Sequence, residues 1–431
     1  MSELWIRGGR VIDPSQSLDQ VTDVFIANRK VVGLGKPPEG FNSAAAQIVE
    51  AKGFVVTPGW IDMHTHLREP GGAYKETIRS GTHAAAAGGF TSIACMANTN
   101  PVNDSSYITA FILQKVASES DINVYPIGAI TKGLKGEELA EIGLMWEAGI
   151  AGLSDDGKTV MNSYLMRKAL DYSRRFDLVV VSHAEDANLK GRGVMNEGFN
   201  SARFGLRGIP KTSEELIVAR DILLAEWTGA RLHVAHVSTK GSVQLVREAK
   251  RRGARVTAEV TPHHLTLTDE VVGNYDTNTK VAPPLREEED REAVLEGLAD
   301  GTIDALASDH APHSVEDKQV EYDLAEFGMV GLETAFPLYY ATTLRRQVPL
   351  MRMVEAMTIK PAQILGIPKG TLNVGVDGDV TIFDPSHRYR IDKALFRSKS
   401  QNTPFHGWEV EGKVAYTVVS GRVVYRSEHL V

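Results

Sequence analysis

A single cysteine, Cys95, stands in a chain of 431 residues. No intramolecular disulfide can form, so the fold must rest on packing, and a reducing, cytoplasmic setting is expected. No apolar run reaches the length of a membrane span, and residues 1–9 lack the apolar stretch of a signal peptide. A membrane partner is thereby excluded. Excess positive charge is missing too: 47 Lys and Arg face 55 Asp and Glu, a net charge of −8. A nucleic-acid partner would need a basic face. The one basic run, Lys250-Arg251-Arg252, reads as a solvated helix end. Short-period repeats and low-complexity tracts are absent.

What is present is ordinary globular composition, 42% hydrophobic and 24% charged, with length for one large domain and a smaller one. Both ends are β-rich. Leu4–Ile6, Arg10–Ile12, Val21–Ile26, Lys30–Leu34 and Ala46–Val49 alternate with turn residues, and so do Asp379–Phe383, Val414–Val419 and Arg422–Tyr425. Together they predict one discontinuous β-sandwich domain, residues 1–54 and 367–431. Residues 55–366 alternate buried strands with amphipathic helices such as Tyr74–Ala87, Glu137–Glu147 and Glu214–Trp227. The strands are Phe54–Met63, Gly89–Ala97, Ile122–Thr131, Ile150–Leu153, Leu178–Ser182, Arg231–Ala235, Arg255–Val260 and Ile303–Ser308. Eight β/α units predict an α/β fold, a closed (β/α)8 TIM-type barrel. A doubly wound open sheet would carry a Gly-rich phosphate loop after its first strand, whereas here that strand ends in His64-Thr65-His66.

Metal-ligand residue types recur at the strand ends: His64 and His66, Asp155 and Asp156, His183, His236 and Asp309. A barrel gathers strand C-termini on one rim, where such enzymes work. Residues i and i+2 of a strand share a face, so His64 and His66 aim at one point. Imidazole and carboxylate suit zinc or another first-row divalent ion. Adjacent Asp155 and Asp156 face different ways, and either reads equally well as a turn residue of Ser154-Asp155-Asp156-Gly157. Asp309 can bind metal and shuttle a proton, or simply cap a turn. Blander readings suit other residues. His83 reads as packed among helix alanines, His233 as facing away from the rim, and Cys95 as a small buried hydrophobe. His387, His406 and His429 fall in the β domain or the tail. The segment Ser314–Met329, charged and without a strand pattern, reads as a mobile lid.

The run Asp62-Met63-His64-Thr65-His66-Leu67-Arg68-Glu69-Pro70-Gly71 resembles the signature of dihydroorotases, in the amidohydrolase superfamily. Met96-Ala97-Asn98-Thr99-Asn100-Pro101, Ser154-Asp155-Asp156-Gly157, His183-Ala184-Glu185, Ala235-His236-Val237-Ser238-Thr239, Thr261-Pro262-His263-His264 and Ser308-Asp309-His310-Ala311-Pro312-His313 resemble further family motifs. Their order is that of the longer, type I branch, and the likeness spans nearly the whole chain. The resemblance implies zinc as cofactor, two ions per subunit or one. His64, His66 and Asp309 would hold one ion, His183 and His236 the other, with Asp156 bridging. It also implies that His66, Arg68, Asn98 and His313 contact substrate, with Arg68 and Asn98 on its carboxylate, and that the Phe327-Gly328 backbone touches the ring. One position departs: Ala282 precedes Pro283-Pro284-Leu285-Arg286 where the family has asparagine.

The implied reaction interconverts N-carbamoyl-L-aspartate and L-dihydroorotate in pyrimidine biosynthesis, with Asp309 as catalytic proton carrier. A substrate carboxylate would need Arg68. Neutral rings, as in hydantoinases and dihydropyrimidinases, would not. Allantoinase shares Glu-Pro-Gly after the histidines, and a third reading is an inactive homologue that scaffolds a partner enzyme. The resemblance further implies a homodimer and assembly with aspartate transcarbamoylase.

Overall fold

The computed structural model describes residues 3–345 and 348–428; His429 lies outside the described residues. All eight barrel strands form, with one division. The run expected as a single strand, Phe54–Met63, breaks at Gly59. Val55–Pro58 joins the terminal sheet, and Trp60–Thr65 (β1) opens the barrel. A Cβ on Gly59 would stand 2.1 Å from Thr91 Oγ1, so only glycine lets the chain cross there.

The barrel continues through Phe90–Cys95 (β2), Asn123–Gly128 (β3), Gly152–Leu153 (β4), Val179–Ser182 (β5), Arg231–Val234 (β6), Val256–Val260 (β7) and Ala305–Leu306 (β8). Each strand pairs in parallel with the next, in chain order. No ladder closes β8 onto β1. A single bridge, Thr65 to His310, and a 2.9 Å bond from the His66 N–H to the His310 carbonyl do so instead. Asp62 adds a stitch by accepting the Ser308 N–H at 3.1 and 3.2 Å. Burial pushes that carboxyl up to about 7. Inside the barrel, Ile61, Met63, Met96, Ile127, Val179 and Val181 form an apolar plug, with Ile364 and Leu365 below it. The polar rim therefore stands on a dry floor.

The termini build one eight-stranded sheet in which both ends of the chain interleave. Its path runs from Arg422–Arg426 through Glu409–Val419, Val380–Arg390, Val55–Pro58, Leu4–Asp13 and Leu18–Ala27 to Lys30–Leu34, with Gln47–Glu50 beside Leu4–Asp13. The two expected pieces Leu4–Ile6 and Arg10–Ile12 are one strand with a bulge between Ile6 and Gly9. The sheet folds over a core of its own. Leu4, Ile6, Val24 and Ile26 from one end meet Val380, Ile382 and Val418 from the other. Trp60 couples this domain to the barrel, its ring 4.5 Å from Phe336 and 5.8 Å from Phe383. Such pairs add ~0.5–1.5 kcal/mol beyond area burial.

The three helices named from sequence form as Ile78–Ala87, Ile142–Ala148 and Thr212–Thr228. The first begins four residues later than expected because Thr77 and Ser80 make a reciprocal capping box there. His83, expected to be packed, is exposed on that helix, which turns its alanine face inward instead. Among the described residues no helix is long and apolar enough to cross a membrane.

Candidate active site

Five strand ends, that of Asp156 among them, bring six side chains into one cluster. The Asp156 Oδ1 lies 3.2 Å from His64 Nε2, 3.4 Å from His183 Nδ1 and 3.8 Å from His236 Nε2, and its Oδ2 lies 3.4 Å from His66 Nε2. Asp309 Oδ1 stands 3.2 Å from His66 Nε2 and 3.5 Å from His64 Nε2. His183 Nδ1 and His236 Nε2 are 2.9 Å apart. Two triads result, His64–His66–Asp156 and Asp156–His183–His236, each with donor atoms within 4.8 Å of one another, and they share Asp156. Backbone geometry aims two of these groups: His236 (φ 33°) and Asp309 (φ 47°) leave their strands in the left-handed region. For such residues that conformation costs on the order of 1–3 kcal/mol.

The residues present fit a metal. All six side chains are buried, yet His64 Nε2 and Asp156 Oδ1 have no hydrogen-bond partner, which a folded protein rarely tolerates without a ligand. Charge says the same. Burial opposes a charged His64, but Asp156, Asp309 and Glu259 raise its pKa well above the usual imidazole value. Burial likewise opposes the Asp156 carboxylate, and His64, His183 and His236 still hold it well below the usual range. Four imidazoles and two carboxylates gathered in one buried pocket are a donor set that suits a divalent cation.

Asp155 does something else. Its carboxylate turns away to accept the N–H groups of Ile130 (2.7 Å) and Thr131 (2.9 Å) and the Thr131 hydroxyl. Two glutamates that sequence reasoning gave no role stand behind the cluster. Glu259 Oε1 accepts from His64 Nδ1 at 2.7 Å, on the ring edge opposite Asp156. His233, on the preceding strand β6, faces the other Glu259 oxygen at 3.2 Å and bonds Thr257 through Nδ1. Glu185 lies 3.6 Å from His183 Nε2 and is tied to Lys190 at 2.5 Å. A carboxylate behind a ligating imidazole fixes its tautomer and orientation. Glu259 had a visible signal, a charge inside the buried run Val256–Val260. That its partner is His64, 195 residues away, had none.

Beside the cluster opens a cleft of about 320 Å³ that His66, Arg68, Asn98, Ala282, His313, Phe327 and Gly328 all line. Asn98 Oδ1 lies 2.9 Å from His66 Nδ1. Arg68 donates through Nε to the Pro312 carbonyl at 3.2 Å, and its Nη2 is 3.3 Å from His313 Nε2. Among the described residues no carboxylate forms an ion pair with it. Glu69, its neighbour in sequence, pairs with Lys115 at 3.0 Å and accepts the Ile78 N–H. Burial lowers the Arg68 pKa, with Asp309 and Asp156 pulling the other way. Burial, then Arg68, Lys75 and Lys318, push His313 down to about 2, so it stands neutral in the wall.

The remaining candidates lie elsewhere. Cys95 is buried, its thiol pushed up to about 12. His387 is half-buried and His406 exposed, both in the terminal sheet domain. His264 holds the segment after Ala282, with Nε2 3.1 Å from the Pro283 carbonyl. His263 is buried with both ring nitrogens unpartnered and is driven down to about 4 by burial.

The chain is similar to known proteins in sequence and in fold. A family model described as dihydro-orotase-like matches residues 53–242, and one described as amidohydrolase family matches residues 218–425. A dihydroorotase of Pelotomaculum thermopropionicum is 56% identical over 424 residues, 98% of each chain. One of Geobacter sp. (strain M21) is 53% identical over 427 residues, 98% of this chain and 99% of its own. Among solved structures, an L-hydantoinase (dihydropyrimidinase) from Arthrobacter aurescens superposes with a TM-score of 0.89 at 27% identity, covering 100% of this chain and 98% of its own.

Proposed function

We propose that this chain, which belongs to the dihydroorotase family of amidohydrolases, interconverts L-dihydroorotate and N-carbamoyl-L-aspartate in pyrimidine biosynthesis. The observation that carries the substrate is Arg68, a guanidinium without a carboxylate partner in the cleft beside the His/Asp cluster. A ring bearing a carboxylate completes that charge, and a neutral ring does not.

His64, His66 and Asp309 would hold one zinc ion and His183 and His236 a second, with Asp156 between them. Bound zinc would lower the pKa of water and polarise the ring carbonyl. The chain's own groups do the rest. Arg68 grips the substrate carboxylate as a planar fork, and Asn98 and His313 complete that end. His66 reaches the substrate from the metal side. The Phe327-Gly328 backbone and Ala282 flank the ring. Asp309 takes the proton of the attacking water and delivers it to the departing ring nitrogen. Ring closure uses the same groups in reverse. Glu259 and Glu185 keep His64 and His183 in register throughout.

Ala282 offers the substrate no side-chain hydrogen bond, so the carboxylate end bears more of the binding. The complete cluster argues against an inactive scaffold. Steady-state assays with dihydroorotate, allantoin and dihydrouracil test the reading, and turnover of either alternative substrate in preference to dihydroorotate would overturn it. A cytoplasmic homodimer, assembling with the aspartate transcarbamoylase that supplies its substrate, belongs to the same proposal. Elution of the active protein as a monomer would remove the dimer, and independent elution of the two enzymes at full activity would remove the assembly.

A further inference from the structure

Part of the cleft wall, Glu326 to Gly328, belongs to a loop, residues 319–329, that follows the short helix Val315–Lys318. Its backbone has no sheet ladder to satisfy it. Instead two lysine side chains reach under it. Lys280 Nζ donates to the carbonyls of Asp323 (3.1 Å) and Ala325 (2.6 Å). Lys318 Nζ donates to those of Glu326 (2.7 Å) and Gly328 (2.9 Å). The Gly328 N–H in turn donates to the Lys280 carbonyl at 2.8 Å. Both lysines are buried, at 2% and 5% exposure, where an amine rarely lies. Burial accordingly lowers both pKa values, Lys280 to about 8 and Lys318 to about 7. An apolar side chain would fill either position at less desolvation cost, but it would take a donor away from two carbonyls, and among the described residues only that of Gly328 keeps another, the Asn402 amide at 3.2 Å.

We propose that Lys280 and Lys318 are positioning residues, a paired clamp whose four carbonyl contacts set where the Phe327-Gly328 backbone stands against the substrate ring. The inference deepens the dihydroorotase reading and rests on it for the identity of the ring. The clamp ties together three pieces of the wall. Lys280 lies two residues before Ala282, Lys318 five residues after His313, and the loop closes the third side. Phe327 is gripped as well, its ring centroid 4.5 Å from Lys280 Nζ and 4.7 Å from Lys190 Nζ. His313 Nε2 lies 2.9 Å from the Phe327 carbonyl, so the side chain beside Arg68 registers against the clamped backbone. The fit leaves no slack. Gly328 sits at φ 131°, and a Cβ there would meet the Ala311 Cβ at 2.6 Å. A loop held this closely presents the ring with a preformed surface.

The test uses the metal-loaded full chain with Lys280→Met and Lys318→Met, singly and together. Two readouts are taken: amide hydrogen exchange over residues 319–329 without substrate, and the kinetics of dihydroorotate. Loop exchange should rise about 10-fold or more as local opening becomes cheaper. KM should rise by a similar factor of about 10 with kcat changed much less, since contacts are lost in ground and transition state alike. Metal content should not move. Should a methionine variant fail to fold, Lys280→Gln or Lys318→Gln retains an amide donor and should show smaller shifts in the same direction. Unchanged loop exchange in folded variants would overturn the clamp. Faster exchange with unchanged KM would overturn its role in positioning. A wild-type protein inactive on dihydroorotate would instead remove the substrate reading and leave the exchange result standing.

Discussion

Replacing Arg68 by methionine isolates the charge that assigns the substrate. The side chain keeps nearly its length and apolar stem and loses only the guanidinium. Backbone strain cancels, because Arg68 sits at φ 59° and methionine bears the same penalty there. The protein side loses one hydrogen bond, to the Pro312 carbonyl at 3.2 Å, and a 3.3 Å approach to His313, whose Nε2 donates to the Phe327 carbonyl and whose Nδ1 accepts from Lys75. Of five guanidinium N–H donors, those two contacts leave enough for a bidentate grip on a carboxylate. Removing one partner of such a desolvated pair costs about 2–5 kcal/mol. At about 1.4 kcal/mol per decade, kcat/KM for dihydroorotate should fall about 30-fold to several-thousand-fold. Zinc content, measured by plasma mass spectrometry, should hold, since Arg68 is not placed as a ligand. Arg68→Lys should fall between, as an ammonium lacks the planar fork. An ion pair with Glu69 would give Arg68 a purely structural role, but Glu69 pairs with Lys115 instead. A methionine variant that retains near-normal kcat/KM would refute the carboxylate grip and, with it, the preference for this substrate over a neutral ring.

Asp156→Ala should lose bound metal and activity together, whereas Asp155→Ala should lower the thermal midpoint and keep the metal; the reverse pattern would reassign the bridge. Bicarbonate should not affect activity, because a side-chain carboxylate needs no carboxylation, and recovery of a decarbonated preparation on adding bicarbonate would point to a carboxylated lysine. Glu259→Gln should weaken metal binding about 10- to 100-fold in chelator competition, and an unchanged affinity would reduce Glu259 to packing. Glu333, which accepts the N–H groups of Arg397 and Ser398, is raised by burial to about 7. A carboxyl raised on folding favours the native state below its unfolded pKa and loses that contribution as pH climbs through the folded value. Glu333→Gln should therefore gain thermal stability relative to wild type between pH 5 and pH 8, and a constant difference in melting temperature would contradict the shift.

What could be read in the sequence was local pattern, and what could not was distance. His64-Thr65-His66 was legible because strand period and strand end are both local, and the barrel because its eight apolar runs recur between helical stretches. Adjacent Asp155 and Asp156 look alike until the Ile130–Thr131 backbone claims one of them. Asp62 and Glu259 are charges inside apolar strands, a visible anomaly, but their partners at Ser308 and His64 lie 246 and 195 residues away. Phe54–Met63 reads as one strand because nothing in its hydrophobicity marks Gly59 as the passage between two sheets. Lys280 and Lys318 carry the opposite disguise. In sequence they look like solvated charges, and only the loop folded over them shows why they are buried.

The fold alone would not separate this enzyme from its structural neighbours. A hydantoinase superposes along the entire chain, and a barrel rim with imidazole and carboxylate ligands suits any cyclic amide. Discrimination needs a group that one substrate satisfies and another leaves stranded, since a buried polar group without a partner is costly. In the proposed reading Arg68 is that group. Its charge is desolvated, the carboxylates that act on it at a distance, Asp309, Asp156, Glu326 and Asp317, form no ion pair with it, and its sequence neighbour Glu69 is committed elsewhere. A neutral ring would leave the guanidinium buried without an ion pair, while a ring carboxylate would answer it beside the point where His313 and the Phe327 backbone meet. Specificity then follows from what the cleft would lose with the wrong ring, and Ala282, which offers no side-chain hydrogen bond, leaves that burden on the carboxylate end.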